Sequence, residues 1–239
     1  MNKNGITVLS LFDGMSCARI ALKELGIKVD KYYASEIDKH AIKQTMLNFP
    51  DTIQLGSVTE VDARKLGHID LLCGGSPCTN FSFSGRRNGM NTTTNEEIYT
   101  LERYLELKEQ GFEFDGESYL FWEYMRILGE VRETNPDVLF FLENVEMGEK
   151  WESVLTKAIG IPGVHINSAL VSAQNRRRIY WTNIRTKTEG LFQWLVPDIP
   201  QPEDRGIMLA DVLEDEVDCK YYLKDETVDK LLANGVKGA

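Results

Sequence analysis

Short apolar runs of β type alternate with helical patterns along most of this chain, and that alternation constrains the fold more than any other feature. A strand–helix–strand succession closes into a parallel sheet, because each strand returns over a helix to lie beside an earlier one. Residues 6–12 read as a first buried strand, and residues 17–25 as a helix with Ser16 as its N-cap and Gly26 just past its end. Residues 31–35 read as a second strand, and residues 38–48 as a helix stopped by Pro50. Further strands are predicted over 69–73 and 137–142, the latter closing on Glu143-Asn144. Helices are predicted over 119–133 and 149–159, and two later strands over 164–171 and 178–184, as antiparallel neighbours. The predicted class is α/β, with a mostly parallel central sheet.

Past residue 184 the pattern weakens. Pro197, Pro200 and Pro202 punctuate a linker, and residues 211–239 are acidic with only short apolar runs. The expected division is a domain over 1–185, followed by 186–239 as linker and appended region. With 239 residues, 42% of them hydrophobic and 27% charged, the chain has globular composition and length enough for one sizeable core. No apolar run approaches the roughly 20 residues of a membrane span, so no membrane partner is expected. Residues 1–5 lack the apolar stretch of a signal peptide. Cys17, Cys73, Cys78 and Cys219 then read as reduced thiols, which predicts a cytoplasmic protein. Their spacing matches no zinc pattern, and His40, His68 and His165 do not cluster, so no metal is expected. The net charge of −10 weighs against a polyanionic partner, but two basic clusters, Arg86-Arg87 and Arg176-Arg177-Arg178, keep one open.

The chemistry concentrates where the predicted strands end. Residues 73–80 read Cys-Gly-Gly-Ser-Pro-Cys-Thr-Asn, directly after an apolar strand. The two glycines allow a tight turn and close approach of a ligand, while Pro77 stiffens it and biases Ser76 toward extended geometry. Cys78 is thereby held as a soft nucleophile on a rigid loop. The first strand turns into its helix through Phe12-Asp13-Gly14-Met15-Ser16, a glycine turn without the G-x-G-x-x-G pyrophosphate cradle. The second strand ends in Glu36, placed to accept hydrogen bonds from a ribose. A ribose carboxylate without the phosphate glycines favours a nucleoside lacking a diphosphate; S-adenosylmethionine fits this better than a nicotinamide dinucleotide. Glu143 closes an apolar strand and faces the same crevice as Cys78, and alternation puts Arg176 and Arg178 on one strand face. Residues 85–117 are polar and follow the nucleophile; a lid and an ordinary insertion are both open readings.

Together these segments resemble the DNA (cytosine-5) methyltransferases of bacterial and phage type. The resemblance runs from about Ile6 to Ile184 and rests on the Phe12-Asp13-Gly14 turn, Glu36-Ile37-Asp38, Gly75-Ser76-Pro77-Cys78, Ser118-Tyr119-Leu120-Phe121, Phe141-Leu142-Glu143-Asn144-Val145 and Gln174-x-Arg176-x-Arg178. It implies a Rossmann-like S-adenosylmethionine-dependent methyltransferase fold with helices on both sheet faces. It implies that Phe12, Asp13, Gly14, Met15 and Ser16 hold the methionine part of S-adenosylmethionine, Glu36 the ribose, and Ile37 the adenine. Ser57 and Val58 fall where the family has an Asp and an apolar residue against the adenine, and Leu120 would line the pocket. Cys78, Glu143, Arg176 and Arg178 would be catalytic, with Ser76, Pro77, Asn144 and Gln174 against the substrate.

The implied reaction is transfer of a methyl group to C5 of cytosine in double-stranded DNA, of the kind used in restriction-modification, with Cys78 bonded to C6 of a flipped-out base. Methylation of RNA, or a non-catalytic S-adenosylmethionine-binding remnant, are the alternatives. The family's carboxyl-terminal target-recognition region and last motifs have no recognisable counterpart before Ala239. The expectation is therefore a catalytic half, with a separate carboxyl-terminal half or target-recognition subunit as a candidate partner.

Overall fold

The segment Ile-Thr-Val-Leu-Ser-Leu is β-branched and apolar, and in the computed structural model, which describes residues 5–78 and 89–235, it is the central strand β1 (Ile6–Leu11). There follow α1 (Cys17–Glu24), β2 (Val29–Ser35), α2 (Lys39–Asn48), β3 (Ile53–Gln54), β4 (Leu71–Gly75), β5 (Asn91–Thr92), α3 (Leu101–Glu109) and β6 (Phe114–Asp115). Then come α4 (Phe121–Thr134), β7 (Leu139–Val145), α5 (Glu149–Ile159), β8 (Val164–Asn167), β9 (Arg177–Thr182), β10 (Thr186–Glu189), β11 (Trp194–Pro197) and α6 (Asp225–Gly235). Arg86-Arg87, and the residues from Thr79 to Asn88 generally, lie outside the described residues.

Seven strands form one sheet in the order β3-β2-β1-β4-β7-β9-β8. The first four pairings are parallel; β9 runs antiparallel to both β7 and β8 and is the one reversed strand of this sheet. Side-chain alternation splits the sheet's two faces between two buried clusters. Leu9, Leu11, Leu72, Phe140 and Leu142 pack with α4 and α5, while Val8, Tyr32, Ala34, Leu71 and Cys73 pack with Leu22 of α1. This is the Rossmann-like arrangement with helices on both faces.

Helix ends follow their sequence signals with one exception. Gly26 adopts φ 69°, its N–H donates to Lys23 O, and the next N–H donates to Leu22 O, which is the paired bonding of a Schellman end. The Asp38 carboxylate caps α2 by accepting from the His40 and Ala41 N–H groups. Ser16 is not the cap expected at the start of α1: it sits in the left-handed region at φ 60° with its hydroxyl turned inward.

The chain divides into two compact units, Met1–Asn167 with Arg176–Gln201, and Ser168–Asn175 with Pro202–Ala239. The sheet-bearing unit therefore runs past residue 185, because β10 and β11 pair as an antiparallel hairpin where a linker was expected. The second unit holds α6 and three short 3₁₀ turns.

Candidate active site

β1, β2 and β3 succeed one another to one side, whereas β4 lies on the other side of β1, so the chain reverses direction across the sheet between β1 and β4. The carboxyl ends of strands at such a reversal open a crevice for a ligand. Phe12 follows β1, Glu36 follows β2, Cys78 lies three residues past β4, and Glu143 is near the end of strand β7. Four separate segments are thus brought to one rim.

The turn after β1 is held by its backbone conformation and by buried hydrogen bonds. Phe12, Gly14 and Ser16 all have positive φ, at 54°, 58° and 60°. Asp13 is buried, and its Oδ1 accepts from the Tyr32 hydroxyl at 2.6 Å while its Oδ2 accepts from the Ser16 hydroxyl. Ser16 Oγ also pairs with Thr45 Oγ1 at 2.9 Å, in the interior. Burial, reinforced by Cys73 and Asp13, raises the Tyr32 pKa far above its usual value, so this phenol stays a donor. The side chains of Asp13 and Ser16 therefore peg the turn from within. Met15 is exposed and does not line the cleft; Phe12 does.

That cleft, about 460 Å³, has Phe12, Glu36, Ile37, Val58, Pro77 and Leu120 in its walls, with Gly56, Ser57 and Tyr119 beside them. Glu36 is fixed from below: Oε1 accepts from the Ile37 and Asp38 N–H groups and Oε2 from the Gly14 N–H at 2.8 Å. Gly14 thus serves the site through its backbone. Ile37 is 74% exposed at the cleft, an apolar side chain with little of its own surface covered. Ser57 lines the cleft but also caps a 3₁₀ turn by accepting from Thr59 N–H. Pro77, expected against substrate, borders this cleft. Tyr119, Gly56 and Thr59 also line it and were not singled out as site residues, although Tyr119 lies in the Ser118-Tyr119-Leu120-Phe121 segment and Gly56 and Thr59 flank Ser57 and Val58.

A second cavity of about 160 Å³ is lined by Phe12, Asp13, Cys73, Gly74, Gly75 and Glu143 among others, so Phe12 is common to both. Glu143 pairs in register with Gly75, and a Cβ added at Gly75 would come within 2.9 Å of Glu143 Oε2. Arg178 donates Nε–H to Glu143 Oε1 at 2.7 Å, and Arg176 Nη2 stands 3.7 Å from the same oxygen. The expected sharing of one face by Arg176 and Arg178 therefore holds, with Glu143 as the shared partner.

Cys78 is a free, half-buried thiol. Cys73 is fully buried, which pushes its pKa up to about 12 and makes it inert as a thiolate. Asn144 and Ser76, expected against the substrate, hydrogen-bond to each other. Both are buried, and Asn144 Nδ2 donates to Ser76 O at 3.2 Å and to Ser76 Oγ at 2.9 Å, tying the cysteine loop to β7. Gln174 belongs to the second unit and not to the sheet-bearing one. Among the described residues, no group of three or more His, Cys, Asp and Glu side chains is gathered for a metal, and no helix is long and apolar enough to cross a membrane.

The family model of C-5 cytosine-specific DNA methylases matches residues 6–110. The orphan methyltransferase M.Rho11sI of Bacillus phage rho11s is 27% identical over 95% of this chain and 47% of its own length. The type II methyltransferase M.DsaV of Dactylococcopsis salina is 26% identical over 94% of this chain and 58% of its own. The chain thus spans about half the length of the curated relatives it matches. Among solved structures, a DNMT2 mutant from Spodoptera frugiperda superposes with a TM-score of 0.64 at 18% identity, over 95% of this chain and 65% of that one. The S. pombe Dnmt2 methyltransferase gives 0.62 at 17%, over 96% and 66%. These two share the fold. Residues 6–110 are thus similar to the C-5 cytosine-specific DNA methylases, and the relatives that match along nearly the whole chain are methyltransferases.

Proposed function

We propose that this chain is the S-adenosylmethionine-binding and base-activating part of an enzyme that methylates C5 of cytosine in double-stranded DNA through a covalent Cys78 adduct. The observation that carries the reading is Glu143: it is ion-paired with Arg178, pressed against Gly75 at the head of the Cys78 loop, and separated from the larger cleft by Phe12.

The larger cleft suits an adenosine group. Its walls are mostly apolar, Ile37 offers an uncovered face for a planar ring, and Glu36 Oε2 keeps acceptor capacity beyond its bond to Gly14 for a ribose hydroxyl. When bound, S-adenosylmethionine supplies an electrophilic methyl on a sulfonium. The residues do the rest. The Cys78 thiolate would add to C6 of the cytosine, shifting the C5–C6 π pair to C5, which would take the methyl carbon as the methyl–sulfur bond breaks and its electron pair stays on the sulfur of the departing thioether. Glu143 hydrogen-bonds or protonates N3 and Arg178 binds O2, so the charge that develops in the ring meets fixed donors. Loss of the C5 proton to a base, water being sufficient, returns the pair to the ring and expels the Cys78 thiolate. The target atoms are out of reach in a duplex, so the base flips out at a cost of a few kcal/mol.

The test is trapping on a duplex with 5-fluorocytosine opposite an abasic site, which lowers the flipping cost and the need for sequence recognition. Incubation with S-adenosylmethionine is expected to give a Cys78-linked adduct by mass spectrometry. No adduct from a chain that binds S-adenosylhomocysteine by calorimetry would sink the covalent mechanism. Methyl acceptance by transfer RNA and not by duplex DNA would move the assignment to RNA.

A further inference from the structure

The wall of the larger cleft formed by Gly56, Ser57, Val58 and Thr59 is short of local structure. β3 is two residues long, and past it the chain is held to β2 by Leu55 N–H on Ala34 O at 2.8 Å and Ser35 Oγ on Gly56 O at 2.8 Å. From Val58 to Glu60 it makes one 3₁₀ turn. Such a turn has weak hydrogen bonds of its own.

One side chain on α4 grips it from behind. Arg126 Nη2 donates to Val58 O at 3.1 Å, and Nη1 donates to Val61 O at 2.9 Å. Arg126 Nε donates to Glu123 Oε2 at 2.7 Å, Nη2 stands 2.6 Å from that same oxygen, and Nη1 donates to Glu130 Oε1 at 2.5 Å. Glu130 then spends its other oxygen on the Ala63 N–H at 2.9 Å. Every polar hydrogen of the guanidinium therefore has an acceptor, and two of those acceptors are main-chain carbonyls, Val58 O in the wall and Val61 O just past its 3₁₀ turn. The arginine does not itself line the cleft. Glu123 is fully buried and is also held by Tyr104 and Lys108, so the fork is anchored to α3 as well as α4.

We propose that Arg126 is a positioning residue for the nucleoside end of the ligand: through Val58 O and Val61 O it sets the shape of the wall against which the adenosine group packs. The inference rests on the cleft being the S-adenosylmethionine site. A part-buried guanidinium in a flat fork is suited to this because it can serve two carboxylates and two carbonyls at once. A lysine ammonium is a point donor with three hydrogens and cannot span them.

The experiment is calorimetry on the full chain with S-adenosylhomocysteine and with 5′-methylthioadenosine, which carries the nucleoside end alone. The unmodified chain is expected to bind both; if it binds neither, the cleft assignment falls and this inference with it. Arg126→Lys keeps the positive charge between Glu123 and Glu130 but loses the fork. It is expected to weaken both ligands by the same factor, about tenfold or more, at a temperature where circular dichroism shows it folded. Arg64→Lys is the control: Arg64 pairs with Glu130 and Glu133 from the solvent side. It is expected to leave both affinities within about twofold. Unchanged affinity in folded Arg126→Lys, or a loss confined to S-adenosylhomocysteine, overturns the proposal. If Arg126→Lys does not fold, Glu130→Gln takes its place, because it loosens Arg126 and the Ala63 N–H together. About threefold weaker binding of both ligands is then expected, and unchanged binding overturns.

Discussion

Glu143 has a double tie at the scale of single residues: Arg178 holds one carboxylate oxygen, and the other lies against Gly75. Replacing it with glutamine keeps volume and shape but removes the negative charge and the proton-transfer capacity. Glu143→Gln is expected to slow single-turnover methyl transfer roughly 10²–10⁴-fold, the usual contribution of a positioned acid. Affinity for S-adenosylhomocysteine should stay within about twofold, because Glu143 does not line the larger cleft. A fall in affinity with the rate unchanged would place Glu143 in ligand binding instead. Cys78→Ala is expected to abolish the 5-fluorocytosine adduct while leaving that affinity intact, read by denaturing gel and calorimetry. These positions could be singled out in the chain because they sit at strand ends: Cys78 follows β4, Glu143 lies near the end of β7, and Arg176 and Arg178 flank the first residue of β9. Which way a loop side chain turns was not. Asp13, Ser16, Ser76 and Asn144 sit beside the site in sequence, yet each is buried against another element, Asp13 on Tyr32 and Asn144 on Ser76. Those partners lie 19 and 68 residues away along the chain, beyond any local pattern.

Between elements, the bond from β7 to the cysteine loop matters most. Asn144 is buried, and its amide serves both the carbonyl and the hydroxyl of Ser76, two residues before Cys78. Asn144→Ala removes the donor and leaves Ser76 O in the interior without it, which costs about 1–3 kcal/mol. The expected result in urea unfolding is a lower midpoint with an unchanged slope, accompanied by slower adduct formation at Cys78. Asn144→Asp is a second variant, since it keeps the size but sets a carboxylate oxygen against the Ser76 carbonyl in place of the donor. Stability equal to the parent in both would show that the loop is held by other means. Elements themselves were legible where periodicity was strong: α5 runs over Glu149–Ile159 as its pattern predicts, and α2 starts at its Asp38 cap. The β10–β11 hairpin was hidden. Its second strand ends in Pro197, and the exposed Leu191, Phe192 and Trp194 follow neither a helical nor an alternating pattern.

For the molecule as a whole, parallel strands and two faces followed from alternation, but the insertion of β9 between β7 and β8 did not, because strand order is settled by packing across the sheet and not by any local run. That outer edge carries a histidine whose titration reaches the stability of the whole fold. His165 on β8 donates or accepts at Nε2 with Glu152 of α5 at 2.9 Å and at Nδ1 with Glu146, just after β7, at 3.4 Å. Burial works against its charged form, but the hydrogen bonds and charges of Glu152 and then Glu146 outweigh it, and the folded pKa is raised. The sign follows directly. With an unfolded pKa of about 6.5, the ring's contribution is fully present below that value and is lost as pH rises through the folded pKa. The ring is about half exposed, so the effect is modest and screened by salt. The chain's net charge of −10 also relaxes on acidification, so the parent's melting curve alone mixes two effects. The readout is therefore the difference in Tm between the parent and His165→Gln, taken at low salt from pH 5.5 to 8.5. That difference is expected to favour the parent at the acid end, to shrink above about pH 6.5, and to level off once the folded ring is neutral. A difference that stays flat across the range would mean the two carboxylates do not hold a proton on His165.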